Sequence, residues 1–324
     1  MLTSLPNFVR KLHNMNYSIR TLYFLLLFAI GGCTNSTGVK NADSNQLYIV
    51  ATTGMLGDAV RNVVGNRAKV ESLMGPGVDP HLYKATQSDL EKLNNADVIV
   101  YNGLFLEGKM EDILEKLGRT KKAIALGDRL DKSKVIRSSA GSGNWNFDPH
   151  IWFDVSLWTE AVGIIASMMK EFDPGNASLY DENLRGYSLE LTALHHWVKN
   201  EIATIPQEQR VLITSHDAFS YFGRAYEIEV HGLQGVSTAS DYGLQDVTAL
   251  VNLIVDRKVK SVFIETSVAS RSLQAVVEGC KNLGYPVKIG GTLFSDAMGE
   301  AGTPEGTYIG MVKANVTSIV NALK

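Results

Sequence analysis

The sequence from Leu47 onward predicts an α/β protein of two lobes with mostly parallel sheets, joined by one long helix. Three observations support this prediction. Short apolar runs rich in Val, Ile and Thr alternate with longer amphipathic segments, and turn residues separate them. The alternation stops at an uninterrupted helical pattern over residues 176–206, and it starts again after Pro206. We therefore divide the folded chain into an N-terminal lobe, 46–175, and a C-terminal lobe, 207–324.

The N-terminal lobe begins with the strand "LYIVATT" and the helix "GMLGDAVRNVVG", which ends at Gly65. Three more strands and two helices continue the pattern: "KVESLM", "TQSDLEKLNNA", "DVIVYNG", "EDILEKLG" and "AIALG". Residues 130–149 are polar and rich in Gly and Ser, which predicts a surface loop. An amphipathic helix over 157–172 follows, and the tripeptide "DPG" ends it.

The connecting segment 176–206 carries apolar residues at helical spacing, namely Leu179, Leu184, Tyr187, Leu191, Leu194 and Val198. A helix of this length spans about 40 Å, enough to brace two lobes, although Gly186 lowers its helix propensity. After it, strands and helices alternate again: "RVLITS", "DAFSYFGRAY", "EIEVHGL", "LQDVTALVNLIVDRK", "SVFIET", "SLQAVVEGCKNLG", "VKIGG" and a final helix from about Pro304 to Leu323.

The N-terminus is predicted to be a signal peptide rather than part of the fold. Basic residues precede the apolar run at 22–30, which is too short to span a bilayer as a helix. The following "IGGC" resembles a bacterial lipobox, so residues 1–33 are interpreted as a lipoprotein signal in which Cys33 is lipidated. The alternative is a secreted protein in which Cys33 has no such role. Residues 34–45 are predicted to be a flexible tether, and either Met1 or Met15 can be the start.

Composition and motifs exclude several classes of function. The net charge is −3 and there is no basic run with interleaved aromatic residues, which argues against nucleic-acid binding. Two distant cysteines, Cys33 and Cys280, exclude a disulfide framework and a cysteine-rich zinc module. The motifs HExxH and GxSxG and a phosphate-binding glycine loop are all absent from the sequence. We therefore predict that the chain is not an enzyme.

Three histidines follow predicted strands in bent loops, and one acidic residue shares this placement. They are His81 in "GPGVDPHLYKATQSD", His150 in "FDPHIWFD", His216 after "VLITS" and Asp296 in "GGTLFSDAMG". Because ligands bind beyond the carboxyl ends of parallel strands, the four can meet in one crevice between the lobes. Three imidazoles and a carboxylate suit Zn²⁺, Mn²⁺ or Fe²⁺. The residues alone leave the alternative open that these histidines are structural. His195, His196 and His231 are predicted to be surface or packed residues.

Six motifs together resemble one family over the whole length from Leu47 to Lys324. They are "GPGVDPHLYKATQSD", "DPHIWFD", "TSHDAFSYFGRAY", "LQGVSTAS", "FIETSV" and "IGGTLFSDAMGEAGTPEGTYIGMV". The family is that of the TroA-like zinc/manganese solute-binding lipoproteins of bacterial ABC importers, of ZnuA, PsaA and MntC type. The resemblance implies a rigid connecting helix and one Zn²⁺ or Mn²⁺ held as cargo between the lobes. Its ligands fall on His81, His150, His216 and Asp296.

The resemblance also implies a function and partners. We expect an extracytoplasmic protein, periplasmic or lipid-anchored to the bacterial membrane and monomeric, that captures a divalent metal and passes it to an ABC permease with its ATPase. Alternatives are a zinc-dependent hydrolase and a surface adhesin. No histidine lies in 130–147, where many zinc-specific members carry a His-rich loop. Asp154 is expected either to orient an imidazole or to cap the following helix. Glu265 is expected to pair with Arg271, either beneath the site or as an ordinary buried pair.

Overall fold

A computed structural model describes residues 46–138 and 146–324. The predicted signal peptide, lipidated Cys33 and tether lie outside this range. Eight strands occur in the described residues: β1 (Leu47–Ala51), β2 (Ala68–Ser72), β3 (Val98–Tyr101), β4 (Lys122–Ala125), β5 (Val211–His216), β6 (Glu229–Gln234), β7 (Ser261–Glu265) and β8 (Lys288–Leu293). Every strand pair is parallel, which confirms the predicted fold class.

Nine α-helices accompany these strands in the described part of the chain: α1 (Gly54–Val64), α2 (Gln87–Asn95), α3 (Glu111–Gly118), α4 (Val155–Phe172), α5 (Ala177–Ala203), α6 (Ser220–Tyr226), α7 (Leu244–Arg257), α8 (Arg271–Asn282) and α9 (Tyr308–Leu323). Among the same residues, no helix combines the length and the apolar character needed to cross a bilayer.

The first four strands form one sheet in the order β2-β1-β3-β4. In the C-terminal half, β5 pairs with β6 and β7 pairs with β8, and β5 lies against β7. The carboxyl ends of β2, β5 and β8 lead into the segments that carry His81, His216 and Asp296. The sheets therefore deliver polar side chains to the same region, as the strand-end argument requires.

Two predicted boundaries differ from the structure for local reasons. The predicted strand "KVESLM" ends as β2 at Ser72, although the amides of Leu73 and Met74 still donate to carbonyls of the neighbouring segment. The final helix begins at Tyr308 rather than near Pro304, because Thr307 caps it by accepting a hydrogen bond from the amide of Gly310 at 3.1 Å.

The long helix α5 packs against both halves of the chain. It contacts α1 and α4 from the first half and α6 and α9 from the second. Its buried face repeats at helical spacing and consists of Tyr180, Tyr187, Leu191, Leu194, Val198 and Ile202. With 27 residues it is about 40 Å long. The helix is therefore an internal brace, since its apolar stripe is shared between the two halves.

The largest hydrophobic cluster is continuous across the chain, from Ile49 on β1 to Leu323 on α9. A buried carboxylate adds a polar contact within it. Asp58 on α1 accepts hydrogen bonds from the Tyr187 hydroxyl at 3.1 Å and from the Tyr308 amide at 3.3 Å. This one side chain thus joins helices from the first half, the connecting segment and the C-terminus.

Candidate metal centre

Four side chains that are distant in sequence meet in a buried cluster: His81, His150, His216 and Asp296. His81 lies in the loop between β2 and α2, and His150 directly precedes a single 3-10 turn, Ile151–Phe153. His216 is the last residue of β5, and Asp296 follows β8. One potential ligand atom from each residue lies within 4.8 Å of all the others. None of the four is more than 2% exposed.

The spacing of these atoms suits a small cation. The Nε2 atom of His150 lies 3.4 Å from the Nε2 atoms of both His81 and His216. The two carboxylate oxygens of Asp296 lie 3.3 Å from His150 Nε2 and His216 Nε2, and one of them is 3.9 Å from His81 Nε2. Four ligands bound tetrahedrally to Zn²⁺ at its usual bond lengths stand about 3.3–3.4 Å apart. Four of these separations match that spacing, and the four ligand atoms as a set lie within 4.8 Å of one another.

The buried charge of the Asp296 carboxylate is the feature of the cluster that most strongly favours binding of a cation. Both of its oxygens are buried and have no hydrogen-bond partner among the described residues, and the Nε2 atoms of His150 and His216 face them at 3.3 Å. A buried carboxylate normally accepts several hydrogen bonds or coordinates a metal, because desolvation penalises its charge. Its surroundings here are ring nitrogens, which are themselves metal ligands.

Two further carboxylates fix the rings of His150 and His216. Asp148 Oδ1 accepts hydrogen bonds from the backbone amide of His150 at 2.9 Å and from its Nδ1 at 2.8 Å. Glu265 accepts from the backbone amide of His216 at 3.0 Å and from its Nδ1 at 2.6 Å. With Nδ1 occupied in this way, each ring presents Nε2 to the cluster, an arrangement typical of metal-binding histidines.

The charges within the cluster perturb one another strongly. Burial lowers the pKa of His81 to about 3. Burial also opposes protonation of His150, but Asp148 and Asp296 outweigh it and raise its pKa to about 9. For His216, Glu265 and Asp296 likewise overcome burial and raise the pKa well above its ordinary value. Burial would raise the pKa of Asp296, yet His216 and His150 hold it well below the usual range. A metal entering the site must therefore displace protons.

Of the two roles expected for Asp154, orienting an imidazole or capping the following helix, the structure shows the second. Its Oδ1 accepts hydrogen bonds from the amides of Ser156 and Leu157 at 3.0 and 3.2 Å, so it caps α4. The carboxylate that holds His150 is instead Asp148. Sequence reasoning missed Asp148, although "DPH" occurs twice, at His81 and at His150, and this repeat could have drawn attention to it.

The expected pair between Glu265 and Arg271 is wrong. Glu265 is buried and bonds to His216, whereas Arg271 is exposed at the start of α8. No ion pair joins the two within the residues that the structure describes. Glu265 does lie beside the cluster, as expected for a residue that shapes the site. Two further histidines of the described residues lie outside the cluster: His195 contacts the Tyr226 hydroxyl, and His231 pairs with Glu229.

Several buried hydrogen bonds anchor the His150 segment on both sides. The Asn102 side chain donates to the carbonyl of Pro149 at 3.0 Å, directly before His150. The Trp152 indole donates to the carbonyl of Ser295 at 3.1 Å, directly before Asp296. The end of the predicted surface loop 130–149 is therefore buried rather than exposed, since Asp148 is only 1% exposed.

Comparisons with known proteins agree with this architecture. Residues 49–322 match the family model ZnuA, described as "Zinc-uptake complex component A periplasmic". The manganese-binding lipoprotein MntA of Bacillus subtilis (strain 168) is 49% identical over 310 residues, which are 96% of this chain and 100% of that protein. The zinc-binding protein TroA of Treponema pallidum (strain Nichols) is 43% identical, over 92% of this chain and 96% of that protein.

The solved structure of the periplasmic zinc-binding protein TroA from Treponema pallidum superimposes with a TM-score of 0.83 at 43% identity. The match covers 86% of this chain and 99% of that chain. The fold and the buried His–Asp cluster thus define the class of α/β substrate-binding proteins that serve transport. Within this class, the chain belongs to the ZnuA family of periplasmic zinc-uptake components.

Proposed function

We propose that this chain captures one Zn²⁺ or Mn²⁺ ion through His81, His150, His216 and Asp296 and delivers it to an ABC permease. The buried cluster with ligand atoms within 4.8 Å of one another is the observation that carries the proposal. The printed names of the relatives support the cargo, because they include manganese-binding, zinc-binding and iron-transporter lipoproteins. The choice of metal then depends on which ions are available outside the cytoplasm.

We further propose a binding role without catalysis. Catalytic zinc keeps one coordination position for water, whereas the three imidazoles and Asp296 offer four protein ligands, enough to fill a tetrahedral shell. Because N-rich sites bind Zn²⁺ more tightly than Mn²⁺, zinc should win a direct competition at equal free concentrations.

The test is metal stoichiometry and affinity of His81→Ala and Asp296→Ala. Wild-type protein loaded with Zn²⁺ and desalted should hold one ion per chain by elemental analysis, and each variant should lose most of its affinity in a competition with a chelator. His231→Ala, at a histidine outside the cluster, is the matched control and should bind as the wild type does. Normal binding by either cluster variant would refute the assigned site.

Membrane attachment through Cys33 and a monomeric state remain part of the proposal. Relatives that are named lipoproteins support the anchor. A single acyl chain binds membranes only marginally, so stable attachment requires Cys33 to be multiply acylated. Cys33→Ala should yield an unprocessed or soluble protein on cell fractionation. Membrane retention of a fully processed Cys33→Ala chain would exclude this residue as the attachment point.

A further inference from the structure

The cluster is closed to solvent, so an ion can leave only if part of the protein moves. The four ligands sit on four different segments, and these segments are not equally well anchored. Their contacts with the rest of the molecule indicate which segment opens.

The His150 side joins the two halves through extensive buried contacts. The Tyr221 hydroxyl on α6 donates to the carbonyl of Asp148 at 2.7 Å, and the rings of Phe153 and Phe219 lie 4.2 Å apart. The Tyr308 hydroxyl donates to the carbonyl of Trp152 at 2.7 Å. Separating these groups would expose large aromatic surfaces to water, which makes opening on this side costly.

The His81 side is joined by polar contacts between partly exposed residues. Asp79 Oδ1 accepts from the His81 amide at 2.9 Å, while Asp79 Oδ2 accepts from the Thr238 hydroxyl of the other half at 2.6 Å. Thr238 lies in the loop between β6 and α7, and both residues of this pair are partly exposed. Opening here breaks a hydrogen bond between partly exposed side chains, which costs less than parting the buried aromatic contacts on the His150 side.

The loop that carries Thr238 is tied to the strand beside His216. The Gln234 side chain donates to the carbonyls of Thr238 at 3.4 Å and Ser240 at 3.2 Å. Gln234 is also the partner of His216 in the β5–β6 ladder. Hydrogen bonds therefore run from His81 through Asp79, Thr238 and Gln234 to the strand of His216, linking ligands from the two halves.

We propose that Asp79 and Thr238 form a latch whose hydrogen bond holds His81 against the other three ligands and whose opening sets the rate of metal release. Both are positioning residues, because they act on the ion through His81. The release step rests on the proposed function. The closed position of the His81 loop in the metal-free protein does not rest on the proposed function, because it can be measured without metal.

The test compares Thr238→Val, which removes the hydroxyl at nearly constant volume, with Thr238→Ser, which keeps it. Zn²⁺-loaded protein is mixed rapidly with a chromogenic chelator, and the rate of ion transfer is recorded. Because Thr238→Val removes a hydrogen bond to a carboxylate, it should release the ion about tenfold faster or more. The release rate of Thr238→Ser should stay within about twofold of that of the wild type. Binding should remain at one ion per chain in both variants.

Thr248→Val is the matched control. The Thr248 hydroxyl donates to the carbonyl of Leu244 at 2.8 Å on the exposed face of the neighbouring helix α7, so its loss should leave the release rate unchanged. In an Asp79→Ala background, Thr238→Val should add no further acceleration, because the two residues act as one unit. A purely structural role for Thr238 would instead give additive effects.

Hydrogen exchange of the metal-free protein provides the separate readout. Amides in residues 75–86 should exchange faster in Thr238→Val than in the wild type, with exchange around His150 unchanged. An unchanged release rate or unchanged exchange of 75–86 in Thr238→Val would overturn the latch. If the wild type bound no metal, the proposed function would fail, and the exchange experiment would still decide whether the latch exists.

Discussion

The carboxylates of Asp148 and Glu265 each accept hydrogen bonds from two groups of one histidine, its backbone amide and its ring Nδ1. These two hydrogen bonds fix the backbone position of the histidine and determine which ring nitrogen faces the cluster. The two carboxylates therefore help to preserve metal affinity, because a histidine ring that is free to rotate must lose conformational entropy when it binds the ion.

We expect Asp148→Asn and Glu265→Gln each to weaken metal binding by about 10- to 100-fold, because the ring partners lose their charge. Chelator competition measures the effect. Asp154→Asn is the matched control: this residue caps α4, and asparagine caps helices as well as aspartate does. Weakened binding in the control but not in Asp148→Asn would reverse the roles assigned to these two residues.

Glu107 is a second buried carboxylate with a measurable consequence. It accepts hydrogen bonds from the Thr52 hydroxyl at 2.6 Å and from the amides of Asn102 and Gly103 at 2.7 and 3.2 Å. These bonds stabilise a turn in which Gly103, Leu104 and Phe105 all have positive φ. Burial outweighs the hydrogen bonds and raises the pKa of Glu107 to about 7.

The free energy of unfolding should therefore depend on pH through Glu107. The folded state holds its proton up to about pH 7, whereas the unfolded chain releases it near 4.5. The resulting stabilisation is complete below about pH 4.5 and is lost as the pH rises through about 7. At 1.36 kcal/mol per pKa unit, it amounts to roughly 3 kcal/mol.

Urea denaturation of metal-free wild type and Glu107→Gln at several pH values tests this expectation. The wild type should lose stability relative to the variant between about pH 5 and pH 8, since glutamine cannot ionise. Two curves that run parallel over this range would show that Glu107 has an ordinary pKa.

Whether a site residue can be predicted from the sequence depends on how local its interactions are. It placed His81, His150, His216 and Asp296 at strand ends because strand and turn patterns are local. It could not find the partner of His216, because Glu265 lies 49 residues away and only the packing of β5 against β7 brings the two together. Asp154 was compatible with two roles from sequence alone, and its local cap contacts decided between them.

At the scale of elements, α5 was predictable because its apolar positions repeat at helical spacing over many turns. The end of β2 and the start of α9 were less predictable, since the amides of Leu73 and Met74 still donate to the neighbouring segment beyond β2 and a threonine cap fixes where α9 begins. The apolar pattern of the sequence therefore predicts which helices and strands exist, whereas individual hydrogen bonds determine where they begin and end.

Gly186 within α5 offers a stabilising substitution. It lies on the exposed face of the helix, and a Cβ added there would meet no atom within 4 Å. Gly186→Ala should raise the free energy of unfolding by about 0.5–1 kcal/mol, because alanine loses less backbone entropy in a helix. Urea denaturation measures the gain. Gly310→Ala in α9 should destabilise the protein instead, since its Cβ would collide with the backbone carbonyl oxygen of Pro304. Equal effects of the two substitutions would show that the space around each glycine does not decide the outcome.

At the scale of the whole molecule, the continuous core limits how far the halves can move. Wide hinge closure requires an interface that parts easily. Here α5 packs against helices from both halves, and Asp58 links three of them by hydrogen bonds.

Metal binding should therefore leave the radius of gyration nearly unchanged. Small-angle scattering of the protein with and without Zn²⁺ measures it, and chelation should restore the original curve. A compaction of several ångströms on adding the metal would show that the halves close as a hinge.

The core also depends on both ends of the folded chain. Asp58 on α1 accepts a hydrogen bond from the amide of Tyr308. The largest hydrophobic cluster includes residues of α9, the 16-residue helix that is synthesised last. A nascent chain that lacks α9 cannot complete this core. The predicted export signal lies at the opposite end and emerges from the ribosome first. The predicted signal is therefore synthesised well before the helix that completes the folded core.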